Sequence, residues 1–484
     1  MRRRQGKPDP VLLRCLACVL LLLSLTAEPT GASRRSPNIV VIMADDLEAG
    51  TLAHFPQITR HLVRQGMSFD RFFTADSWCC PSRSSILRSQ YVHSHGVWTN
   101  TAPEGGFERF NGLGLERSTI GTWMQDAGYR TAYMGKYLNH YPGPMPETYV
   151  PPGWDTWHVP VRGLYNEYGY RLNSDGRPVE YGWGEHDHLA DVLAGKASDF
   201  IAADGRPFFL FLAPVAPHLP ANPPVRHAEA FTEATAPRPP SFNQEDVSKE
   251  PAWLRDRPPL SQSEMDRADQ LYRTRLRAML GVDDLVGSVM DALAKTGRLR
   301  DTYVFFTSDN GFHLGTHRLA QGKTTPFEEA IRVPLVVRGP GVPAGASAGE
   351  LSATVDLAPT IAELGGARVP SFAEGRSMTP LLRGGRPAGW RENVLVEFAR
   401  PANRRSAAQT PVPGYRAVRT RRHLYVAYET GEEQLYDLRK DPYQLHNLAA
   451  CANPALLKDL RARLDAMRSC SGATCRVADT LNPG

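Results

Sequence analysis

At 484 residues, with 42% hydrophobic and 22% charged positions, the chain has material for a large buried core and a smaller companion unit. That balance excludes a membrane bundle and a disordered polyelectrolyte. The formal charge of +5 falls to +2 if residues 1–32 leave, because Arg2, Arg3, Arg4, Lys7 and Arg14 go with Asp9 and Glu28, so basicity gives no reason to expect a nucleic-acid partner.

Those first residues have the layout of a secretory signal peptide: a basic start, an apolar run over 15–26, then the small residues Thr30, Gly31 and Ala32. The run is short for a bilayer, so no stable membrane span is expected, and a signal-anchor is the alternative. The expected organisation is a signal peptide at 1–32, a catalytic domain at 36–368 and a smaller C-terminal subdomain at 369–484. The expected location is secreted or extracytoplasmic, which includes the lysosome in a eukaryote.

Three apolar runs end in polar residues. Residues 38–43 lead into Ala44-Asp45-Asp46, 208–212 into Pro217-His218, and 303–307 into Ser308-Asp309-Asn310-Gly311. Continuous apolar strands belong in a helix-covered sheet, whose functional groups gather beyond the carboxyl ends of the strands. The fold class is therefore α/β: a large mixed, mostly parallel sheet sandwiched by helices, plus a smaller C-terminal α+β unit with an antiparallel sheet. Residues 139–188 and 220–262 read as loops over the site. Apolar residues at helical spacing predict a long helix over 263–295 and another over 355–364, closed by Gly365-Gly366. Short strands are predicted at 393–398, 415–418 and 423–428, followed by a helix over 454–468.

Beyond the signal segment five cysteines remain. Cys470 and Cys475 enclose a four-residue loop and suggest a small disulfide in an oxidising compartment. Cys79 and Cys80 need another explanation, and no neighbouring pattern has structural zinc spacing. They stand in Cys79-Cys80-Pro81-Ser82-Arg83-Ser84-Ser85-Ile86-Leu87, where Pro81 marks a helix start whose free N–H groups favour an anion. A pair of buried structural cysteines is the plain alternative.

Cys-x-Pro-Ser-Arg followed by three residues and Leu resembles the signature of the sulfatase family. The resemblance covers nearly the whole mature chain, because other family elements follow in order. It implies that Cys79 is oxidised to formylglycine by a formylglycine-generating enzyme, and that Asp45, Asp46, Asp309, Asn310 and residue 79 bind one divalent cation. Such oxygen donors suit calcium, preferred here, or magnesium. Lys136, His218 and Lys323 resemble the sulfate-binding set, and Arg83 the residue that supports the formylglycine diol. The Gly135-Lys136-Tyr137-Leu138-Asn139 run looks most like the branch of N-acetylglucosamine 6-sulfatase and the extracellular heparan sulfatases. Two positions depart from many members. Arg88-Ser89 replaces Thr-Gly, and Leu138 stands where a histidine commonly assists sulfate release, leaving His140, His95 or His313 as stand-ins. The implied activity is hydrolysis of a sulfated sugar or aryl sulfate. A phosphodiester or phosphonate hydrolase of the same superfamily, or a glycan-binding protein with Cys79 as a thiol, are the alternatives. Tyr165, Tyr168, Tyr170, Tyr181 and Trp183 could stack on a sugar or pack within their loop.

Overall fold

Strand formation begins where the sequence is most apolar. Asn38–Ala44 (β1) is buried throughout. Its side chains alternate between two cores, Val40, Ile42 and Ala44 in one and Ile39, Val41 and Met43 in the other, as a strand covered on both faces must. The structure, a computed structural model, describes residues 36–203, 205–402 and 412–481. The signal peptide expected at 1–32 lies outside them. Among the described residues no helix is long and apolar enough to cross a membrane.

The strands that follow are Met67–Phe69 (β2), Phe72–Phe73 (β3), Arg130–Gly135 (β4), Thr156–Arg162 (β5), Arg171–Ser174 (β6), Arg177–Glu180 (β7), Phe208–Ala213 (β8), Thr302–Ser308 (β9), Leu335–Arg338 (β10), Ala346–Ala348 (β11) and Ser352–Ala353 (β12). Apart from β3 and β12, which pair with each other, they join β1 in a ten-stranded sheet of order β11-β2-β10-β9-β1-β8-β4-β5-β6-β7. The run β9-β1-β8-β4-β5 is parallel, whereas β10 and the β6–β7 hairpin run antiparallel. This is the mixed, mostly parallel sheet expected. The span 139–188 is not only loop, however, because it supplies β5, β6 and β7. Their polar, short sequences hide the strand period.

Helices cover both faces. Leu189–Ala202 and Gln262–Lys295 bury their apolar stripes in one core, and the Cys79–Arg88 and Leu357–Gly365 helices contribute to the other. The long helix starts at a capping box in which Ser261 and Glu264 bond each other's backbone N–H groups. Gly366 ends the Leu357–Gly365 helix in the left-handed conformation.

Asn393–Phe398 (β13), Tyr415–Thr420 (β14), His423–Tyr428 (β15) and Glu433–Asp437 (β16) form an antiparallel sheet, with the Pro454–Arg468 helix sharing its core. The fourth strand is absent from the sequence reading, since Glu433 and Gln434 dilute its apolar pattern. This core also takes in Phe73, Tyr91, Phe327 and Val355, so Pro37–Gly484 forms one compact unit. Cys470 and Cys475 are bonded, with Cα atoms 4.8 Å apart.

Candidate active site

Four adjacent parallel strands deliver the site. In the order β9, β1, β8 and β4 they end at Ser308, Ala44, Ala213 and Gly135, and each is followed by chemistry: Asp309 and Asn310, Asp45 and Asp46, the turn to His218, and Lys136. Register keeps the ends level, with Ala44 opposite Ser308 and Gly135 opposite Ala213. The sheet alone therefore gathers residues more than 260 positions apart. Cys79 opens its helix over this edge, with extended Trp78 as the cap residue.

Asp45, Asp46 and Asp309 are fully buried and offer carboxylate oxygens within 4.8 Å of one another. The Cys79 sulfur lies 3.4 Å from Asp45 Oδ1 and 3.8 Å from Asp46 Oδ1, and Lys323 Nζ donates to it at 2.8 Å. Each acid has a basic partner. Lys136 Nζ pairs with Asp45, Lys323 Nζ with Asp46, and Arg83 Nε with Asp309 Oδ2 at 2.7 Å. Arg83 also donates to the Lys136 carbonyl at 2.6 Å, tying the cysteine helix to the β4 end.

The acids bond one another's scaffold as well. Asp309 Oδ1 accepts from the Asp46 N–H at 3.1 Å and from the Asn310 N–H at 2.9 Å. Asp46 has φ of +70°, a left-handed backbone that Asp tolerates better than most residues. Burial raises the carboxyl pKa values, but the cations outweigh it. Lys136, His218 and Arg83 hold Asp45 down to about 2, and Lys323 with His218 lowers Asp46. Burial and then Asp45 push the Cys79 thiol up, so as a thiol it stays protonated at neutral pH. Burial would discharge Lys136 and Lys323, yet Asp45 and Asp46 raise both and keep them charged.

His218 donates Nδ1–H to the Leu219 carbonyl at 2.7 Å and turns Nε2 toward Asp46 Oδ2, 3.8 Å away. Burial lowers its pKa, and Asp45 and Asp46 pull it back. The Tyr165 ring stacks on the imidazole at 4.5 Å and faces Lys136 Nζ at 5.1 Å. Tyr165 thus packs against the catalytic edge, whereas Tyr170 and Tyr168 are buried and stack on Tyr181 and Trp183.

The donor set fits a hard cation. Three buried carboxylates converge, and the Asn310 side-chain oxygen is buried without a hydrogen-bond partner, an acceptor available to an ion. Among the stand-ins for the missing histidine, His95 lies between the Ser85 hydroxyl and the Val97 N–H. His313 lies between the Thr316 and Thr325 hydroxyls, so neither ring has a free nitrogen.

Arg275 escaped the sequence reading. From the long helix it donates to the Asp46 carbonyl at 2.6 Å and the Pro217 carbonyl at 3.0 Å, pairs with Glu48, and lies over Phe312 at 4.3 Å. It braces two of the loops that carry the site. The signal was present, since a basic residue interrupts the buried stripe of Tyr272, Leu276 and Met279.

A sheet that collects acids, bases and a helix N-terminus at one edge has the make-up of an ester hydrolase for tetrahedral anions. The family model described as Sulfatase matches residues 37–367, and the one described as N-sulphoglucosamine sulphohydrolase, C-terminal, matches 315–470. The chain is 33% identical to the human N-acetylglucosamine-6-sulfatase, covering 100% of this chain and 94% of that protein. It is 32% identical to an arylsulfatase of Volvox carteri, over 96% and 79%. A solved structure of a protein in complex with its substrate D-glucosamine-2-N,6-O-disulfate superposes with a TM-score of 0.76, at 23% identity, covering 92% of this chain and 99% of that one. The phosphonate monoester hydrolase of Agrobacterium radiobacter shares the fold, with a TM-score of 0.69 at 22% identity, over 87% and 93%. The chain belongs to the sulfatase family and is a sulfuric ester hydrolase.

Proposed function

We propose that the protein removes sulfate from a 6-sulfated N-acetylglucosamine unit or a related sulfated sugar, and accepts aryl sulfates, using a formylglycine formed from Cys79. The observation that carries this is the position of Cys79: first residue of a helix, with its sulfur among Asp45, Asp46 and Lys323. The substrate class is supported by relatives named N-acetylglucosamine-6-sulfatase and arylsulfatase.

Asp45, Asp46, Asp309, Asn310 and residue 79 would hold the cation, calcium in preference to magnesium, which supplies Lewis-acid polarisation when bound. A formylglycine at residue 79 would, once hydrated, offer two hydroxyls on one carbon, one as nucleophile and one to expel sulfate with return of the aldehyde, which a serine could not. The remaining work belongs to the side chains. Lys136 and Lys323 place fixed positive charge around the sulfate oxygens. Arg83, locked on Asp309 and the Lys136 carbonyl, keeps residue 79 oriented. His218, protonated on Nε2, gives a proton to the departing sugar oxygen. Export through an oxidising compartment fits both the signal peptide expected at 1–32 and the Cys470–Cys475 bond, and a relative is named as an extracellular sulfatase.

The test is mass spectrometry of the tryptic peptide spanning 72–83 from secreted protein. An aldehyde in place of the sulfur at residue 79 is the expected result. An unmodified thiol throughout, in protein that still turns over substrate, would overturn the mechanism. Elemental analysis should find calcium in the purified protein and none in Asp46→Ala.

A further inference from the structure

A pocket of about 460 Å³ opens onto Asp46, His218 and Lys323, and two further cations line it, Arg257 and Arg318. They do different things. Arg318 directs its donors onto backbone: Nε to the Gln244 carbonyl at 2.8 Å, Nη1 to the Arg257 carbonyl at 2.7 Å and Nη2 to the Glu245 carbonyl at 2.6 Å. Three of its five N–H donors are spent on backbone carbonyls, and it braces the wall.

Arg257 is the braced residue. Its carbonyl is held by Arg318 and its N–H by the Leu254 carbonyl at 3.0 Å. Its guanidinium, by contrast, has no hydrogen-bond or ion-pair partner among the described residues, and its Nε is sealed from solvent. Burial alone lowers its pKa, with no carboxylate opposing. The acids that line the same pocket are engaged elsewhere. Asp46 faces Lys323 and Asn310, and the Glu264 carboxylate accepts from the Ser261 N–H and hydroxyl, both at 2.8 Å.

A half-buried guanidinium on a fixed backbone, without an acceptor, is a recognition element waiting for one. Its planar fork matches the paired oxygens of a carboxylate or sulfate. Lys136, Lys323 and His218 already serve the reacting sulfate, so an anion at Arg257 must be a second one, on the leaving-group side of the pocket. We propose that Arg257 is a specificity-determining residue that binds a second anionic group, carboxylate or sulfate, of the substrate. This rests on the sulfated-sugar reading above.

The experiment compares sulfate release by the intact, formylglycine-bearing enzyme from three probes. They are N-acetylglucosamine 6-sulfate, glucosamine 2-N,6-O-disulfate, and N-acetylglucosamine 6-sulfate joined to a uronic acid. Wild type is expected to favour at least one two-anion probe, chiefly through a lower KM. In Arg257→Gln that preference, taken as the ratio of kcat/KM values, falls about tenfold or more, and Arg257→Lys keeps part of it. Whichever probe loses its advantage identifies the second anion as sulfate or carboxylate. An unchanged ratio in Arg257→Gln of wild-type melting temperature, equal losses on all three probes, or no wild-type preference overturns the proposal alone. If wild type releases sulfate from none of them, the substrate reading fails and takes this proposal with it.

Discussion

The acids at the strand ends are buried among cations. Asp45 at about 2 and a lowered Asp46 are ionised at any working pH, so the negative charge of the site is permanent and its cations are held in place by it. In the function proposed above, His218 gives its proton to the leaving alcohol. Its role predicts a dependence on the leaving group. His218→Ala should lower kcat on a sugar sulfate by about 10²–10⁴, since an alkoxide needs the proton, but lower it by less than about tenfold on 4-nitrophenyl sulfate, whose phenolate leaves unaided. Equal losses on both would remove His218 from that role. At this scale the sequence is informative wherever a motif carries the chemistry. Cys79, the Asp45–Asp46 pair and the Asp309–Asn310 pair stood out in the sequence, and the three basic residues through the family resemblance. Arg257 did not, because it derives its meaning from what surrounds it in space, and Arg275 left only the trace of a basic residue within a buried helical stripe.

At the scale of elements, strand ends and helix starts do the positioning. Gly135 ends β4 with φ of +99°, and a Cβ there would lie 2.1 Å from the Ala213 carbonyl oxygen on the neighbouring strand. Only glycine lets β4 and β8 stay paired up to the point where Lys136 emerges. Gly135→Ala should therefore destabilise the protein by about 1–3 kcal/mol and displace Lys136, lowering activity beyond the loss of folded protein. Unfolding curves and activity per folded molecule check both parts.

The helix that Cys79 opens is supported from beneath by His95. Its ring accepts from Val97 N–H at 3.1 Å and meets the Ser85 hydroxyl at 3.0 Å, an arrangement that suits only the neutral imidazole. Burial, with Arg88 and His93, depresses its pKa to about 3. A depressed folded-state pKa means that the unfolded chain binds the proton more readily. Stability is therefore full above about 6.5 and declines as pH falls toward about 3. The melting temperature should drop across that window, and His95→Gln, though less stable at neutral pH, should show a shallower slope. A parallel slope would mean that other groups govern the acid response.

For the whole molecule, a buried ion cluster ties the C-terminal segment to the start of the Leu357–Gly365 helix. Arg391 is fully buried and grips both Asp356 oxygens at 2.8 and 2.7 Å and Asp479 at 3.2 Å, and Arg376 also pairs with Asp479. Asp356 lies at the start of the Leu357–Gly365 helix, and Asp479 near the end of the described chain. Arg391→Met leaves the buried Asp356 carboxylate without its guanidinium partner and Asp479 with Arg376 alone, and should cost about 3–5 kcal/mol, read from the midpoint of chemical unfolding. A change below about 1 kcal/mol would show that solvent or Arg376 compensates.

The sequence by itself determined the local facts: which runs are apolar enough for central strands, where Ser261 and Glu264 start a long helix, and which short motif places a cysteine at a helix start. These depend on residues a few positions apart, so composition and spacing reveal them. The order β9-β1-β8-β4 was decided only by the tertiary structure, because strand neighbours are chosen by packing between distant segments, more than 260 residues apart for β1 and β9. That order brings three carboxylates, an amide, two lysines and a histidine into one site. It also decided which cations are already paired, and so left Arg257 facing the pocket without a partner among the described residues.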